Sequence, residues 1–240
     1  MPEPTKTVNL RVRRFDPACG REPSWQEYPV PLLDRITVLD ALFYVVANLD
    51  STLSFRCACR AAMCGSCGMV MNGREGLACR TQLSDLGPTA RVEPLRNLPV
   101  VKDLAVDMEP FFDKYRAVTP YLVPKADATE PAVIPADSPL RDLVDEHLEC
   151  ITCGACYSAC SLVASDPDYL GPAALNRAYC LTADVRDAYR QQRLDAVQDQ
   201  HGVWRCHQLF ECTQVCPKKL IPTRAIRKLK RGEPLRVGRR

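Results

Sequence analysis

The first hundred residues show short strand-like patterns of apolar positions. In "TVNLRVRRF", Val8, Leu10 and Val12 alternate with polar residues, which is the period of a half-buried β-strand. "YPVPLL" predicts a second strand and "ARVEPL" a final one. Asn72-Gly73, between "GMVM" and "REGLAC", predicts a hairpin, because a type I′ turn needs two residues with positive φ.

One helix is predicted among these strands, in "TVLDALFYVVANL". Thr37 and Asp40 have the spacing of a capping box. The apolar residues of one helical face are Val38, Leu39, Leu42, Phe43 and Val46. Strands, one crossing helix and a cysteine-rich loop predict a β-grasp domain.

The second half of the chain has a different pattern. Seven prolines fall within residues 99–139, which predicts a connector. Ser138 as N-cap and Pro139 at the first helical position then predict a helix. The apolar residues that share its face are Leu140, Leu143, Val144 and Leu148. "TADVRDAYRQQRLDAVQDQHG" predicts another helix, from near Thr182 to Gly202.

These patterns predict an α+β fold in three segments. Residues 1–104 form a β-grasp domain of the plant-type ferredoxin class, 105–138 a proline-rich connector, and 139–240 a mostly helical domain of the bacterial-ferredoxin class.

Composition narrows the functional class. The net charge of +3 over 240 residues gives no argument for nucleic acid, and no apolar run approaches the ~20 residues of a membrane span. "MPEPTKTVNL" lacks the apolar region of a signal peptide, so we expect a polypeptide on the cytoplasmic side. Fourteen cysteines are the outlier. Without an export signal, their tight clustering favours metal or iron–sulfur ligation over disulfides.

The first cysteine cluster has the spacing of plant-type [2Fe–2S] proteins. Cys59-x₄-Cys64-x₂-Cys67 is followed by Cys79, so a short loop wraps the cluster and a distant cysteine closes it. The small residues between these ligands let backbone N–H groups approach the sulfurs. A structural zinc site is the alternative, although zinc loops favour paired C-x₂₋₄-C knuckles. Cys57 would point to the same side as Cys59 in an extended segment, and is a possible substitute ligand.

Two further cysteine runs belong together. In two-cluster ferredoxins the last cysteine of each run ligates the cluster of the other run. That exchange assigns a [4Fe–4S] cluster to Cys150, Cys153, Cys156 and Cys216. It leaves only three ligands, Cys160, Cys206 and Cys212, because the run "CHQLFECTQVCP" has Leu209 where the template has a cysteine.

Leu209 therefore indicates a [3Fe–4S] cluster. A cubane corner without a thiolate tends to lose its iron, and the loss of one anionic ligand raises the reduction potential. The alternatives are a core leucine beside an ordinary cluster with water or hydroxide on one iron, and zinc.

The chain has no G-x-G-x-x-G, no P-loop and no Ser–His–Asp arrangement. Three one-electron centres form a wire whose two-electron chemistry must lie on other subunits.

Several stretches resemble the iron–sulfur subunit of the succinate dehydrogenase and fumarate reductase (succinate:quinone oxidoreductase) family: "LSFRCACRAAMCGSCGMVMNGREGLAC", "ECITCGACYSAC" and "GVWRCHQLFECTQVCPKKLIPTRAI". The resemblance covers almost the whole chain. It implies a partner flavoprotein subunit with FAD, membrane-anchor subunits and a quinone, with this subunit peripheral on the cytoplasmic face and without catalytic residues of its own. His207 and Lys230 are the implied quinone-side residues.

The chain departs from that family at three positions. Ser161 stands where a proline is usual and Ser165 where a tryptophan is frequent, so quinone contacts at both remain open. Ala62 replaces a usual glycine, which would strain the loop if that position needs positive φ. From residue 217 onward, ten Lys or Arg and one acid, Glu233, suggest a surface for anionic headgroups or a solvated helix end.

Competing functions are a soluble ferredoxin-like carrier, a relay subunit of a thiol- or glycolate-type flavin-linked oxidoreductase, and a zinc-stabilised scaffold. Leu209 and the short tail after Pro217 argue against the second, because those relays usually carry two complete four-cysteine runs. Succinate oxidation and fumarate reduction use the same wire, so the direction stays open.

Overall fold

The structure, a computed structural model, describes residues 6–20, 22–125 and 132–232. It divides into two compact units. The first consists of Met1–Met108 and Ile151–Ala159, and the second of Glu109–Cys150 and Cys160–Arg240. The boundaries that the sequence suggests, at 104 and 138, stay predictions.

The first unit contains seven described strands and two described helices. The strands are β1 (Thr7–Arg14), β2 (Ser24–Pro31), β3 (Gly68–Met71), β4 (Arg74–Leu77), β5 (Thr89–Glu93), β6 (Val100–Lys102) and β7 (Ala105–Val106). The helices are α1 (Val38–Asn48) and α4 (Ala155–Ser158). The second unit contains α2 (Glu109–Arg116), α3 (Pro139–Leu148), α5 (Ser161–Ser165), α6 (Gly171–Ala183), α7 (Arg190–Asp195), α8 (Glu211–Gln214) and α9 (Pro222–Lys230). Short 3₁₀ turns lie at Pro17–Cys19, Leu83–Leu86 and Val203–Arg205.

A five-stranded mixed sheet is the core of the first unit. Its order is β2-β1-β5-β3-β4, with β1 parallel to β5 and the other pairs antiparallel. Val8, Leu10 and Val12 are all buried, as their alternation predicts. The predicted hairpin turn is confirmed, with φ of 46° at Asn72 and 83° at Gly73. β2 begins at Ser24, earlier than the stretch "YPVPLL" indicates, because its first residues pair with the end of β1.

Helix α1 begins with the predicted capping box. Thr37 Oγ1 accepts from the Asp40 N–H, and the Asp40 carboxylate accepts from the Thr37 N–H at 3.0 Å. The predicted apolar face is partly wrong. Phe43 and Val46 are only half-buried, and Val45 is fully buried. Phe43 instead turns towards the cysteine loop, where its ring meets Phe55 edge-on with centroids 5.3 Å apart.

Helix α6 is the centre of the second unit and packs against α3 and α9. Nearly all of its residues are buried, so its sequence has no amphipathic period and gave no helix prediction. Helix α3 has the predicted cap, with the Leu140 N–H donating to Ser138 Oγ at 3.2 Å. Its buried side includes His147, however, whereas the predicted Leu148 is 49% exposed.

The long helix predicted over 182–202 is wrong. α6 ends at Ala183, and α7 covers only Arg190–Asp195. Asp184 and Asp187 end the helix, because their carboxylates accept from the N–H groups two residues later, at 3.0 and 2.8 Å. Such local side-chain acceptors compete with helical hydrogen bonds.

Helix α2 and strand β7 lie within the stretch predicted as connector. Within the described ranges, no helix combines the length and the apolar character needed to cross a membrane.

Candidate iron–sulfur sites

The first site is the loop between α1 and β3. Three backbone N–H groups point at Cys59 Sγ, those of Ala61 at 3.4 Å and of Met63 and Cys64 at 3.3 Å. The Ser66 N–H points at Cys64 Sγ at 3.5 Å. N–H groups that converge on sulfur stabilise negative charge there.

Three residues of this loop have a left-handed backbone conformation. Arg60, Ala62 and Gly65 have φ of 53°, 57° and 72°. Ala62 therefore occupies a position with positive φ, which is the strain anticipated from the missing glycine.

The β3–β4 hairpin brings the remaining two cysteines of this set together. Cys67 directly precedes β3 and Cys79 lies just beyond β4, and the Ala78 N–H donates to the Cys67 carbonyl at 3.0 Å. Cys67 and Cys79 are buried, whereas Cys59 and Cys64 are exposed. The set thus has an inner and an outer pair, and the outer pair faces the protein surface. Cys57 is also exposed.

Cys64 of the outer pair and Cys67 of the inner pair differ in how readily they ionise. Hydrogen bonding, first by the Ser66 side chain, lowers the pKa of Cys64 to about 6. Burial raises the pKa of Cys67 to about 12. A buried thiolate at Cys67 therefore needs a positively charged partner, which a bound iron ion would supply.

Gly65 connects this loop to the second cysteine run. A Cβ at Gly65 would lie 2.7 Å from Cys153 Cβ and 2.8 Å from both Cys153 Cα and the Ile151 carbonyl. Only a glycine allows this approach, and it places Cys64 one residue from the contact with Cys153. Cys153 is buried and Cys156 half-buried in the first unit, whereas Cys150 and Cys216 belong to the second. The [4Fe–4S] assignment of these four cysteines stays a prediction.

The second site described within one unit is formed by Cys160, Cys206 and Cys212. All three are buried, with 7%, 7% and 6% of their surface exposed. They line one small cavity together with Leu209 and Tyr169. Burial raises the pKa of Cys160, and it raises that of Cys212 to about 12. Three buried sulfur donors around one cavity suit an iron cluster.

Leu209 is not a core leucine. It is 51% exposed and lines the cavity midway between Cys206 and Cys212 in sequence. Its two neighbours, Gln208 and Phe210, have positive φ of 57° and 65°, so the backbone turns sharply on both sides of it. An alkyl side chain at this point offers no ligand to iron.

Among the residues described, one group of three metal-ligating side chains has its donor atoms within 4.8 Å of one another, and it is Asp166, Asp168 and His201, outside the cysteine sets. All fourteen cysteines lie in described positions, and none of them is joined to another in a disulfide.

Four predicted quinone-side residues lie around the second site. His207 is exposed, next to Cys206. Lys230 donates to the Cys206 carbonyl at 2.7 Å, and its ammonium lies 5.5 Å from the centre of the Trp204 ring. The hydroxyls of Ser161 and Ser165 form hydrogen bonds with other residues of this chain.

The Ser161 hydroxyl and N–H both donate to the Glu211 carboxylate, at 3.0 and 2.9 Å. Ser165 donates to the Leu162 carbonyl and accepts from Arg205. Both serines therefore support the local structure, whereas His207 remains open to a ligand.

Sequence reasoning missed Tyr169. This residue is 1% exposed and lines the cavity, and burial, followed by the negative charge of ionised Cys206, raises the pKa of the phenol. No local pattern distinguishes Tyr169 from the other tyrosines, because the cysteines around the cavity are distant from it in sequence.

Comparison with known proteins divides the chain as its cysteine sets do. The 2Fe-2S iron-sulfur cluster binding domain matches residues 9–113, and the 4Fe-4S dicluster domain matches residues 146–220. A fumarate reductase iron-sulfur subunit of Mycobacterium tuberculosis is 42% identical over 228 residues, covering 93% of this chain and 91% of the relative. The chain belongs to the iron–sulfur subunits of fumarate reductases and succinate dehydrogenases.

Other iron–sulfur subunits of this family are also similar to the chain over most of its length. The fumarate reductase subunit of Haemophilus influenzae is 36% identical, covering 91% of this chain and 90% of the relative. The succinate dehydrogenase subunit of Coxiella burnetii is 37% identical, covering 93% and 95%. A chain of the Mycobacterium smegmatis Sdh1 complex in the apo form superposes with a TM-score of 0.85 at 29% identity, covering 95% and 96%.

The predicted fold class is thereby confirmed, a 2Fe-2S ferredoxin-like mixed-sheet domain and a helical 4Fe-4S ferredoxin-like domain. This iron–sulfur subunit has an electron-transfer role within an oxidoreductase complex. The relatives carry both names, so the direction of the reaction stays open.

Proposed function

We propose that this subunit carries electrons between the FAD site of a flavoprotein subunit and a membrane quinone. Cys59, Cys64, Cys67 and Cys79 would hold [2Fe–2S]. Cys150, Cys153, Cys156 and Cys216 would hold [4Fe–4S], and Cys160, Cys206 and Cys212 would hold [3Fe–4S]. When bound, the clusters supply one-electron storage at three successive points. The chain itself contributes no dicarboxylate chemistry.

The observation that carries this proposal is the second site. Three buried thiols line one cavity, and the exposed Leu209 occupies the sequence position at which a fourth cysteine ligand would be expected. That arrangement distinguishes this subunit from soluble two-cluster ferredoxins, in which both runs are complete.

The surface beside this site supports a quinone contact. Trp204, Leu209 and Phe210 are 54%, 51% and 50% exposed, and His207 is exposed among them. An apolar surface with one imidazole suits a quinone, whose ring is apolar and whose carbonyl accepts a hydrogen bond. We propose that His207 donates this bond, and that Lys230 affects the quinone site indirectly, through its hydrogen bond to the Cys206 carbonyl.

The exposed pair Cys59 and Cys64 supports a flavoprotein contact at the other site, because electrons enter most readily where a centre approaches the surface. Anchor subunits would hold the second site at the cytoplasmic face of the membrane. Four of the basic residues beyond Cys216 already have partners in the second unit, since Lys218 pairs with Glu149, Arg224 with Glu146, Lys228 with Tyr179 and Lys230 with the Cys206 carbonyl. Fewer charges are therefore available for lipid headgroups than the sequence suggests.

The test uses the complex purified from membranes through a tag on this chain. We expect a flavoprotein to co-elute and quinone-linked succinate oxidation to be present. Cys212→Ser should abolish the quinone-linked reaction and leave dye-linked oxidation at the flavin, whereas Cys180→Ala, at a buried cysteine outside the three sets, should leave both. A stable lone monomer with all its clusters would contradict the proposal, as would unchanged quinone-linked turnover in Cys212→Ser.

A further inference from the structure

Arg56, three residues before Cys59, is a half-buried cation that forms no ion pair with a carboxylate among the described residues. Its Nε and Nη2 atoms are buried and have no hydrogen-bond partner in the described structure. A buried charged donor that lacks a hydrogen-bond partner destabilises the folded state. Arg14 in the same unit shows the usual solution, since Asp50 and Asp103 accept from its guanidinium at 2.5 and 2.9 Å.

The backbone that carries Arg56 is fixed. The Ser54 N–H donates to Asp103 Oδ2 at 2.9 Å, and the Ser54 carbonyl accepts from the Leu104 N–H at 3.1 Å. The next residue, Phe55, packs its ring against Phe43. Arg56 is therefore held beside the cysteine loop.

The negative charge that acts on Arg56 belongs to a predicted cluster ligand. Burial lowers the pKa of Arg56, and ionised Cys67 acts in the opposite direction. Cys67 is one of the two inner cysteines of the set. Arg60 differs, because it is exposed and lies over the Phe43 ring, 4.2 Å from its centre.

We propose that Arg56 donates its Nε and Nη2 protons to sulfur of the [2Fe–2S] centre and thereby raises the reduction potential of that centre. The inference rests on the proposed function, in which Cys59, Cys64, Cys67 and Cys79 are the ligands. Two ferric ions, two sulfides and four thiolates carry a net charge of about −2, which becomes about −3 on addition of one electron. A guanidinium beside the sulfur stabilises the reduced form more than the oxidised form, because the added charge is negative.

Two substitutions separate charge from geometry. Arg56→Gln removes the cation, and Arg56→Lys keeps it but loses the planar pair of donors. Arg60→Gln removes a cation from the same loop without touching a buried donor. Each variant is purified in its complex, and the EPR signal of the reduced [2Fe–2S] centre is titrated against potential, with the three-iron signal of the same sample as internal reference.

We expect Arg56→Gln to disfavour the reduced form at least tenfold, a fall of about 59 mV for one electron. Arg56→Lys should fall by less, and Arg60→Gln should match the unsubstituted protein. An unchanged potential in Arg56→Gln, or an equal fall in Arg60→Gln, would overturn the inference. If Arg56→Gln loses the cluster, Arg56→Lys tests the inference instead. A reduction potential that falls further in Arg56→Lys than in Arg60→Gln supports the inference, and an unchanged potential refutes it. Absence of the [2Fe–2S] signal in the unsubstituted protein would instead reject the proposed function.

Discussion

Gly65→Ala tests the contact between the first cysteine loop and the second run. The new Cβ would lie 2.7 Å from Cys153 Cβ and 2.8 Å from the Ile151 carbonyl, so main-chain atoms would have to move. Such overpacking costs about 1–3 kcal/mol. The left-handed backbone, with φ of 72°, adds about 1–2 kcal/mol for an L-residue. We expect a loss of about 2–5 kcal/mol from the stability of the first unit.

Gly73→Ala is the matched control. Its φ is 83°, and a Cβ there meets nothing within 4 Å, so this substitution carries only the backbone cost. Thermal unfolding of the cluster-loaded protein at one fixed scan rate compares the two variants. Each 1 kcal/mol shifts the midpoint by about 2–4 °C for a chain of this size. Gly65→Ala should melt well below Gly73→Ala and should also bind less iron. Equal midpoints would refute the packing argument.

Three further predictions concern the second unit. Leu209→Cys supplies a fourth thiolate, so it should convert [3Fe–4S] to [4Fe–4S] and lower its potential; an EPR titration with an unchanged potential would contradict the charge argument. Tyr169→Phe removes a buried hydroxyl from the cavity that the three cysteines line, and because polar groups around a cluster tune its potential, it should lower the potential of the three-iron centre. Tyr179→Phe, at a buried hydroxyl bound by Lys228, should not, and equal shifts would reject this role for Tyr169. Burial lowers the pKa of His147, so below pH ~6.5 the unfolded chain takes up a proton that the native state does not. The free energy of unfolding should therefore fall with decreasing pH by up to about 1.4 kcal/mol per pH unit. Denaturant unfolding should show that this dependence weakens in His147→Gln and persists in His207→Gln.

Local signals in the sequence predicted local structure well. The alternation in β1, the Asn72-Gly73 turn, and the caps at Thr37 and Ser138 each depend on residues close together in the chain. The α6 helix gave no such signal, because it is buried on all sides. The break after Ala183 was missed because carboxylates that normally occur within exposed helices here accept local N–H groups.

The candidate sites likewise combine features set by residues close together in the sequence with features that form only when the chain folds. Cysteine spacing alone supports a prediction of which thiols share a cluster, because cluster ligands occur in short fixed runs, and that assignment stays a prediction. It gave no sign of Tyr169 or of the pairing of Ser161 with Glu211, because these residues meet only through folding. The buried, unpartnered donors of Arg56 likewise become visible only in three dimensions.

The central claim is that Cys160, Cys206 and Cys212 hold a cluster that lacks a fourth thiolate. EPR of the air-oxidised complex tests it most directly, because an oxidised three-iron cluster is paramagnetic and an ordinary oxidised [4Fe–4S] cluster of this class is not. We predict a three-iron signal that integrates to one spin per chain and disappears in Leu209→Cys. Intact, iron-loaded protein without that signal would contradict the account.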